Sequence, residues 1–177
     1  MNKIDRTSTS KQEKLETAYL LAFEYEQKYG CCPQCVLASI QDVIGIVEDA
    51  TFKAAHSLAA GGAMMTVGTC GALLGGMLAL SSKYGREREN FGNGPYMQSY
   101  KLAKQLYEHF VAEFGSPICA NVQARLMGRS FNMWDKHDYA AFEEAGGHRD
   151  KCPSVTGRVA MWTVEMFLEL EDENKPF

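Results

Sequence analysis

The chain has no apolar run long enough to span a membrane. Its longest candidate, residues 72–80, is too short and too rich in glycine for the roughly 20 apolar residues a spanning helix needs. Residues 1–16 are polar and charged and lack the apolar centre of a secretory signal, so none is expected and the cytoplasm is the expected location. Positive charge is in deficit, with 18 Lys and Arg against 22 Asp and Glu and a net charge of -4. That balance argues against nucleic acid as a partner, because phosphate binding needs a basic face. No internal repeat and no low-complexity segment interrupts the chain. No β-branched run reads as a strand outside helical periodicity. The Ser/His/Asp pattern, the nucleotide-binding glycine loop and the paired-carboxylate motif are all missing, so neither hydrolysis nor phosphoryl transfer is suggested. A haem-attaching C-x-x-C-H is also excluded, because Val36 stands where its histidine would be.

What is present is an ordinary globular composition, 46% hydrophobic and 23% charged over 177 residues. That is enough for one domain, residues 1–177, with a core that needs no disulfides. The periodicity predicts an all-α protein: a compact single-domain bundle of five to six main helices. Residues 1–8 read as a disordered tail. A helix over 9–29 is capped by Ser10, carries Leu15, Ala18, Tyr19 and Ala22 with Tyr25 or Tyr29 at helical spacing, and ends at Gly30. A second helix opens in the cysteine run 31–35 and reaches residue 43 or 44. Asp49 is placed to cap a third over 50–58. A central apolar helix spans Met77 to Tyr84, and the charged stretch 85–94 follows as a solvated loop. The next helix, 96–114, shows the stripe Tyr96, Tyr100, Ala103, Leu106, Tyr107, Phe110, Val111 and Phe114. Residues 128–151 read as a long loop with one short helix at 139–145 capped by Asp138, either a lid over a site or a surface loop anchored by Trp134. The last helix spans about 154–171 and leads into an acidic tail.

Six cysteines in a reducing compartment are more often metal-binding, catalytic or buried than disulfide-paired. Four share a local context. Cys70 follows a glycine-rich turn and precedes Gly71, Gly75 and Gly76. Cys32 precedes Pro33, Cys119 follows Ser116-Pro117, and Cys152 precedes Pro153-Ser154. Each is expected at a helix N-terminus, where unpaired N–H groups favour a thiolate and lower its pKa. Cys32, Cys70, Cys119 and Cys152 are therefore expected to converge on one site. Gly71 would let a bulky group or another backbone approach. Cys32-Pro33-Gln34-Cys35 is also a C-x-x-C at a helix start, the arrangement of dithiol redox motifs, although the βαβ pattern that usually carries it is absent.

The motifs together resemble a family named after its cysteines, the C_GCAxxG_C_C redox-active proteins. The resemblance runs from about residue 29 to 167. It rests on Tyr29-Gly30-Cys31-Cys32-Pro33-Gln34, on Thr69-Cys70-Gly71-Ala72-Leu73-Leu74-Gly75 followed by Leu80-Ser81-Ser82-Lys83-Tyr84-Gly85-Arg86, on Phe114-Gly115-Ser116-Pro117-Ile118-Cys119, and on Cys152 before an amphipathic helix. The family is similar to the non-haem part of split-Soret cytochromes, which implies an iron–sulfur centre and a homodimer. This chain differs in carrying Cys31 and Cys35 besides the four, and in lacking the usual Asn and Ala of the first motif. Which cysteine of the first group serves is left open.

Three functions follow. The first is a redox or electron-transfer protein binding a [2Fe–2S] or [4Fe–4S] cluster through Cys32, Cys70, Cys119 and Cys152, with Cys35 as substitute and no haem. The second is a metal-free thiol–disulfide oxidoreductase or redox sensor using Cys32 and Cys35. The third is a structural zinc site or a non-catalytic helical protein with buried cysteines. A redox partner protein is implied by the first, and the residues do not identify it.

Overall fold

The computed structural model describes residues 10–94 and 96–173. The expected tail at 1–8 lies outside them, as do Pro95 and residues 174–177 of the acidic tail. The described residues form eight α-helices: α1 Lys11–Tyr29, α2 Cys32–Ile44, α3 Asp49–Ala54, α4 Gly71–Tyr84, α5 Met97–Phe114, α6 Cys119–Met127, α7 Lys136–Glu144 and α8 Cys152–Glu173. Two 3₁₀ turns, His56–Gly61 and Arg88–Asn90, and a π-helical turn, Gly147–Lys151, fill the connections. Among the described residues there is no strand; Thr69 and Ile118 form an isolated antiparallel bridge. The all-α class is as expected. Eight helices replace five to six because short segments in the connections also close hydrogen-bonded turns.

Local chemistry explains several boundaries. Ser10 accepts from Glu13 N while Glu13 Oε2 accepts from Ser10 N at 2.7 Å, a reciprocal cap that starts α1. Gly30 ends it as expected. Asp49 is the first residue of α3 rather than its cap, and its carboxylate accepts from Gln41 Nε2 at 2.8 Å. The third helix stops at Ala54, short of residue 58, where the chain tightens into the 3₁₀ turn. On α5 the buried line is Leu102, Leu106, Phe110 and Phe114, while Tyr100 is 61% exposed. The expected aromatic stripe is therefore rotated, because the i, i+4 row 102–106–110–114 fills the core and the tyrosines border it.

The helices pack around one main apolar core. α1 lies along α8, with Lys11 at its start 3.2 Å from Glu169 near the end of α8. α2 packs on α1 and α4, and α4 on α5 and α8. Leu37, Ile40, Leu73, Leu80, Leu106 and Phe167 are fully buried, each worth about 1.5–3 kcal/mol of transfer free energy. The α2–α4 crossing is unusually close. A Cβ at Gly75 would stand 2.7 Å from the Pro33 carbonyl oxygen and 3.0 Å from Pro33 Cα. Only hydrogen fits there, and this contact sets α2 at its depth against α4.

The segment at 128–151 is corrected most. It carries α7, capped by Asp135 rather than Asp138, and then the π turn. The Asp135 side chain accepts from His137 N and Asp138 N, which starts the helix at residue 136 rather than 139. Phe131, Met133 and Phe142 form a second, smaller apolar cluster with Met64 and Tyr139 packed on it. Trp134 anchors it by donating Nε1–H to the Ala63 carbonyl at 2.9 Å.

Gly75→Ala tests the crossing. Helix propensity alone would favour alanine by about 1 kcal/mol, yet the overlap with α2 backbone is expected to leave a net loss of about 1–3 kcal/mol. Gly92, with no atom near its missing Cβ, should accept alanine with no comparable loss. Urea titrations of both variants decide; a stabilised Gly75→Ala would refute the close crossing.

Candidate cysteine cavity

Backbone pairing between two distant segments creates the site. Cys70 N donates to the Pro117 carbonyl at 2.7 Å, Cys119 N to the Gly68 carbonyl at 2.9 Å, and Ala120 N to the Thr66 carbonyl at 2.9 Å. These bonds set the mouths of α4 and α6 side by side, and with them Cys70 and Cys119. Gly71 then admits α2: a Cβ there would stand 2.6 Å from Cys32 Sγ and 2.9 Å from Pro33 Cδ. Cys152 arrives from the far end of the chain, at the start of α8. Cys32, Cys70, Cys119 and Cys152 all line one cavity of about 410 Å³, and Cys31 borders it.

Cys35 does not. Its thiol donates to the Gly30 carbonyl at 2.8 Å and faces a separate groove with Cys31, Tyr25 and Asp42. One turn of α2 thus divides the C-x-x-C, with Cys32 facing the cavity and Cys35 the groove. Cys31, the residue before the helix, adopts a left-handed conformation at φ 64°.

The loop over the cavity is strained. Ala60, Ala63, Met64 and Thr66 all have positive φ without being glycine, a conformation that persists only where surrounding structure enforces it. Here Thr66 N bonds the Ala60 carbonyl at 2.8 Å and Ala63 N the Ser57 carbonyl at 2.7 Å. In this loop the Ala60 N–H favours the Cys32 thiolate. The Ala72 and Leu73 N–H groups in the first turn of α4 favour the Cys70 thiolate, although the Cys70 side chain closes no capping hydrogen bond. Cys152 differs, because the π turn precedes it directly and its own N–H bonds the Gly147 carbonyl. It is not at a bare helix end.

The expected fall in thiol pKa does not occur. Burial pushes all six thiols up, that of Cys70 to about 11 despite the opposing pull of the Ala72 and Leu73 N–H groups. Desolvation of a thiolate outweighs the pull of a few N–H groups. The negative charge of Glu26 adds to the rise at every cysteine. In the metal-free protein these thiols are protonated at neutral pH.

Glu26 is a cavity residue that the sequence did not single out. It is 2% exposed, lines the cavity and leaves Oε2 without a hydrogen-bond partner. Burial pushes its carboxyl up to about 7, against the pull of the Cys35 thiol and of His148. His148 Nε2 stands 3.9 Å from Glu26 Oε1, and its Nδ1 is 2.6 Å from Glu143 Oε1. The signal was there: Leu15, Ala18, Ala22 and residue 26 share one helical face, so a carboxylate interrupts the apolar stripe where Tyr25 or Tyr29 was expected to continue it. Tyr29 is instead 66% exposed. Gln123 was also missed. It is buried, accepts from Phe131 N at 3.0 Å and places its amide 3.8 Å from Cys119 Sγ, tying the smaller apolar cluster to the cavity. Among the described residues no Lys or Arg lines the cavity.

A family model described as "Putative redox-active protein (C_GCAxxG_C_C)" matches residues 30–166. No curated protein and no solved structure matches the chain.

Glu26 makes stability depend on pH. Its folded pKa is raised from 4.5 to about 7, so between those values the folded state binds more protons than the unfolded state and stability falls as pH rises. The loss amounts to roughly 3 kcal/mol at most, complete above the folded value. Denaturant titrations of metal-free protein across this window should show the decline in the wild type and its absence in Glu26→Gln. Parallel curves for the two proteins would refute the buried acid.

Proposed function

The chain belongs to the C_GCAxxG_C_C family, and from that premise we propose that it is an electron-transfer protein of the cytoplasm whose cavity holds an iron–sulfur cluster on Cys32, Cys70, Cys119 and Cys152. The observation that carries this reading is the arrival of those four thiols, from four separate parts of the chain, on one cavity of about 410 Å³. When bound, the cluster would supply reversible one-electron chemistry at a potential set by charge, exposure and hydrogen bonds to sulfur.

The residues present suit such a group. Gly71 lacks the Cβ that would collide with Cys32 Sγ. The N–H groups of Ala60, Ala72 and Leu73 favour the thiolate forms of Cys32 and Cys70, and such donors would raise the potential of a bound cluster. Ligation displaces the thiol protons, so metal uptake would offset the desolvation that keeps the empty site neutral. The apolar wall built by Met64, Met133 and Phe142 limits water.

Two other readings have less support. A single zinc ion needs thiolates converging at about 2.3 Å from one point, and among the described residues no three His, Cys, Asp or Glu side chains are grouped to hold one ion. A dithiol couple between Cys32 and Cys35 is opposed by their opposite orientations and by thiol pKa values raised by burial, which make slow nucleophiles.

Protein purified without oxygen is expected to be brown, to contain matching iron and acid-labile sulfide, and to bleach with dithionite. Single Ser substitutions of Cys32, Cys70, Cys119 or Cys152 should each lower iron content severalfold, while Cys35→Ser retains it. Colourless protein after an attempt at cluster reconstitution would overturn the proposal.

A further inference from the structure

Glu26 has no task in the four-cysteine reading. A carboxyl this buried, with one oxygen unsatisfied, is costly to keep in an apolar wall. It is also not isolated. His148 stands between Glu26 and Glu143, with Nε2 toward the inner carboxyl and Nδ1 on the outer one. His148 Nδ1 and the Glu143 carboxyl share a hydrogen; with that hydrogen on Glu143, the neutral ring carries its own on Nε2, facing inward. The Glu143 side chain is 38% exposed and the His148 side chain 23%. Exposure thus falls in steps from Glu143 through His148 to Glu26. The π turn that carries His148 is fixed by Gly147, where a Cβ would meet the Phe142 ring at 2.2 Å. Irregular turns of this type are concentrated at functional positions in helices.

We propose that Glu143, His148 and Glu26 form a proton path from solvent into the cysteine cavity, so that an electron delivered there is accompanied by a proton held on Glu26. This rests on the electron-transfer reading above. The electron comes from a low-potential one-electron donor, which is oxidised. The proton comes from water by way of the Glu143 carboxyl: His148 gains it at Nδ1, loses its Nε2 proton to the Glu26 carboxylate and stays neutral. No carbon or sulfur bond forms or breaks, and the added negative and positive charges cancel. The 3.9 Å gap between Nε2 and Oε1 is longer than a hydrogen bond, so transfer requires the carboxyl to swing toward the ring.

The surroundings favour this compensation. The groups that act on Glu26 or are acted on by it are Cys31, Cys32 and Cys35 at the head of α2, Cys70 at the mouth of α4, Cys119 of α6, Tyr139 of α7, His148 of the π turn and Cys152 of α8. His148 is the only one of them that can carry positive charge. Added negative charge therefore has no fixed cation to meet it and raises the proton affinity of the nearest buried acid. The raised pKa of Glu26 agrees with that environment.

The test has two arms. In cluster-loaded protein, the reduction potential is followed against pH in wild type and Glu26→Gln. Reduction raises the proton affinity of Glu26, so between its pKa values in the two redox states the wild-type potential should fall with rising pH, by up to about 59 mV per unit, the tenfold equivalence for one electron. Glu26→Gln should be flat, and Glu26→Asp should restore a slope. A flat wild type, or an unchanged slope in Glu26→Gln, would overturn the path. In metal-free protein, the infrared C=O band of a buried protonated carboxyl should be lost in Glu26→Gln. Its shift on transfer to deuterated water should slow in His148→Phe on the order of tenfold or more. Unchanged exchange in His148→Phe would overturn the route even if the protein never binds iron, so failure of the path and failure of the cluster reading are separable.

Discussion

The cavity depends on one pairing: the backbone of 66–70 laid against that of 117–120. Three hydrogen bonds, Cys70 to Pro117, Cys119 to Gly68 and Ala120 to Thr66, join segments separated by all of α4 and α5. Without them two helix mouths would have no reason to face each other. The loop from Ala60 to Thr66 can afford left-handed residues because these bonds, and those to Ser57 and Ala60, over-determine it. The close α2–α4 crossing adds the third cysteine, and the return of α8 along α1 adds the fourth.

Electrostatically the site is a balance that burial wins when no metal is bound. The N–H groups at the mouth of α4 favour the Cys70 thiolate, and that of Ala60 the Cys32 thiolate. Each is worth a fraction of the desolvation of a thiolate. The same donors become useful once a cation shares the cavity, since they then favour sulfurs already ionised. Storing the site as neutral thiols and a neutral acid avoids burying several like charges together. In the proposed cluster site it would also link metal loading, proton release and stability to one another.

The segment carrying α7 and the π turn ties the outside to this interior. Trp134 pins it to the loop at Ala63, Gln123 pins it to Cys119, and Phe142 packs against His148 at 5.1 Å between ring centroids. A change at the exposed end of this segment therefore reaches the cavity through packed side chains rather than through a flexible loop. In the proposed proton path that rigidity keeps His148 at the height of Glu26.

The all-α class, the cap at Ser10, the helix ends at Gly30 and Gly115 and the meeting of four cysteines at one cavity were legible in the chain, because caps, glycine stops and apolar periodicity are local signals. So was the resemblance that names the family, carried by motifs of a few residues each. The rotation of α5 was not legible, since two overlapping stripes satisfy the same period and only the neighbours on α4 and α8 choose between them. α7 was misread by one cap, as Asp135 and Asp138 are equally suitable by type. The division of Cys32 from Cys35, the rise of every thiol pKa and the burial of Glu26 were decided by tertiary structure alone. Each depends on how much water the surrounding helices exclude, and desolvation is a property of the packed assembly that no spacing of residues along the chain encodes.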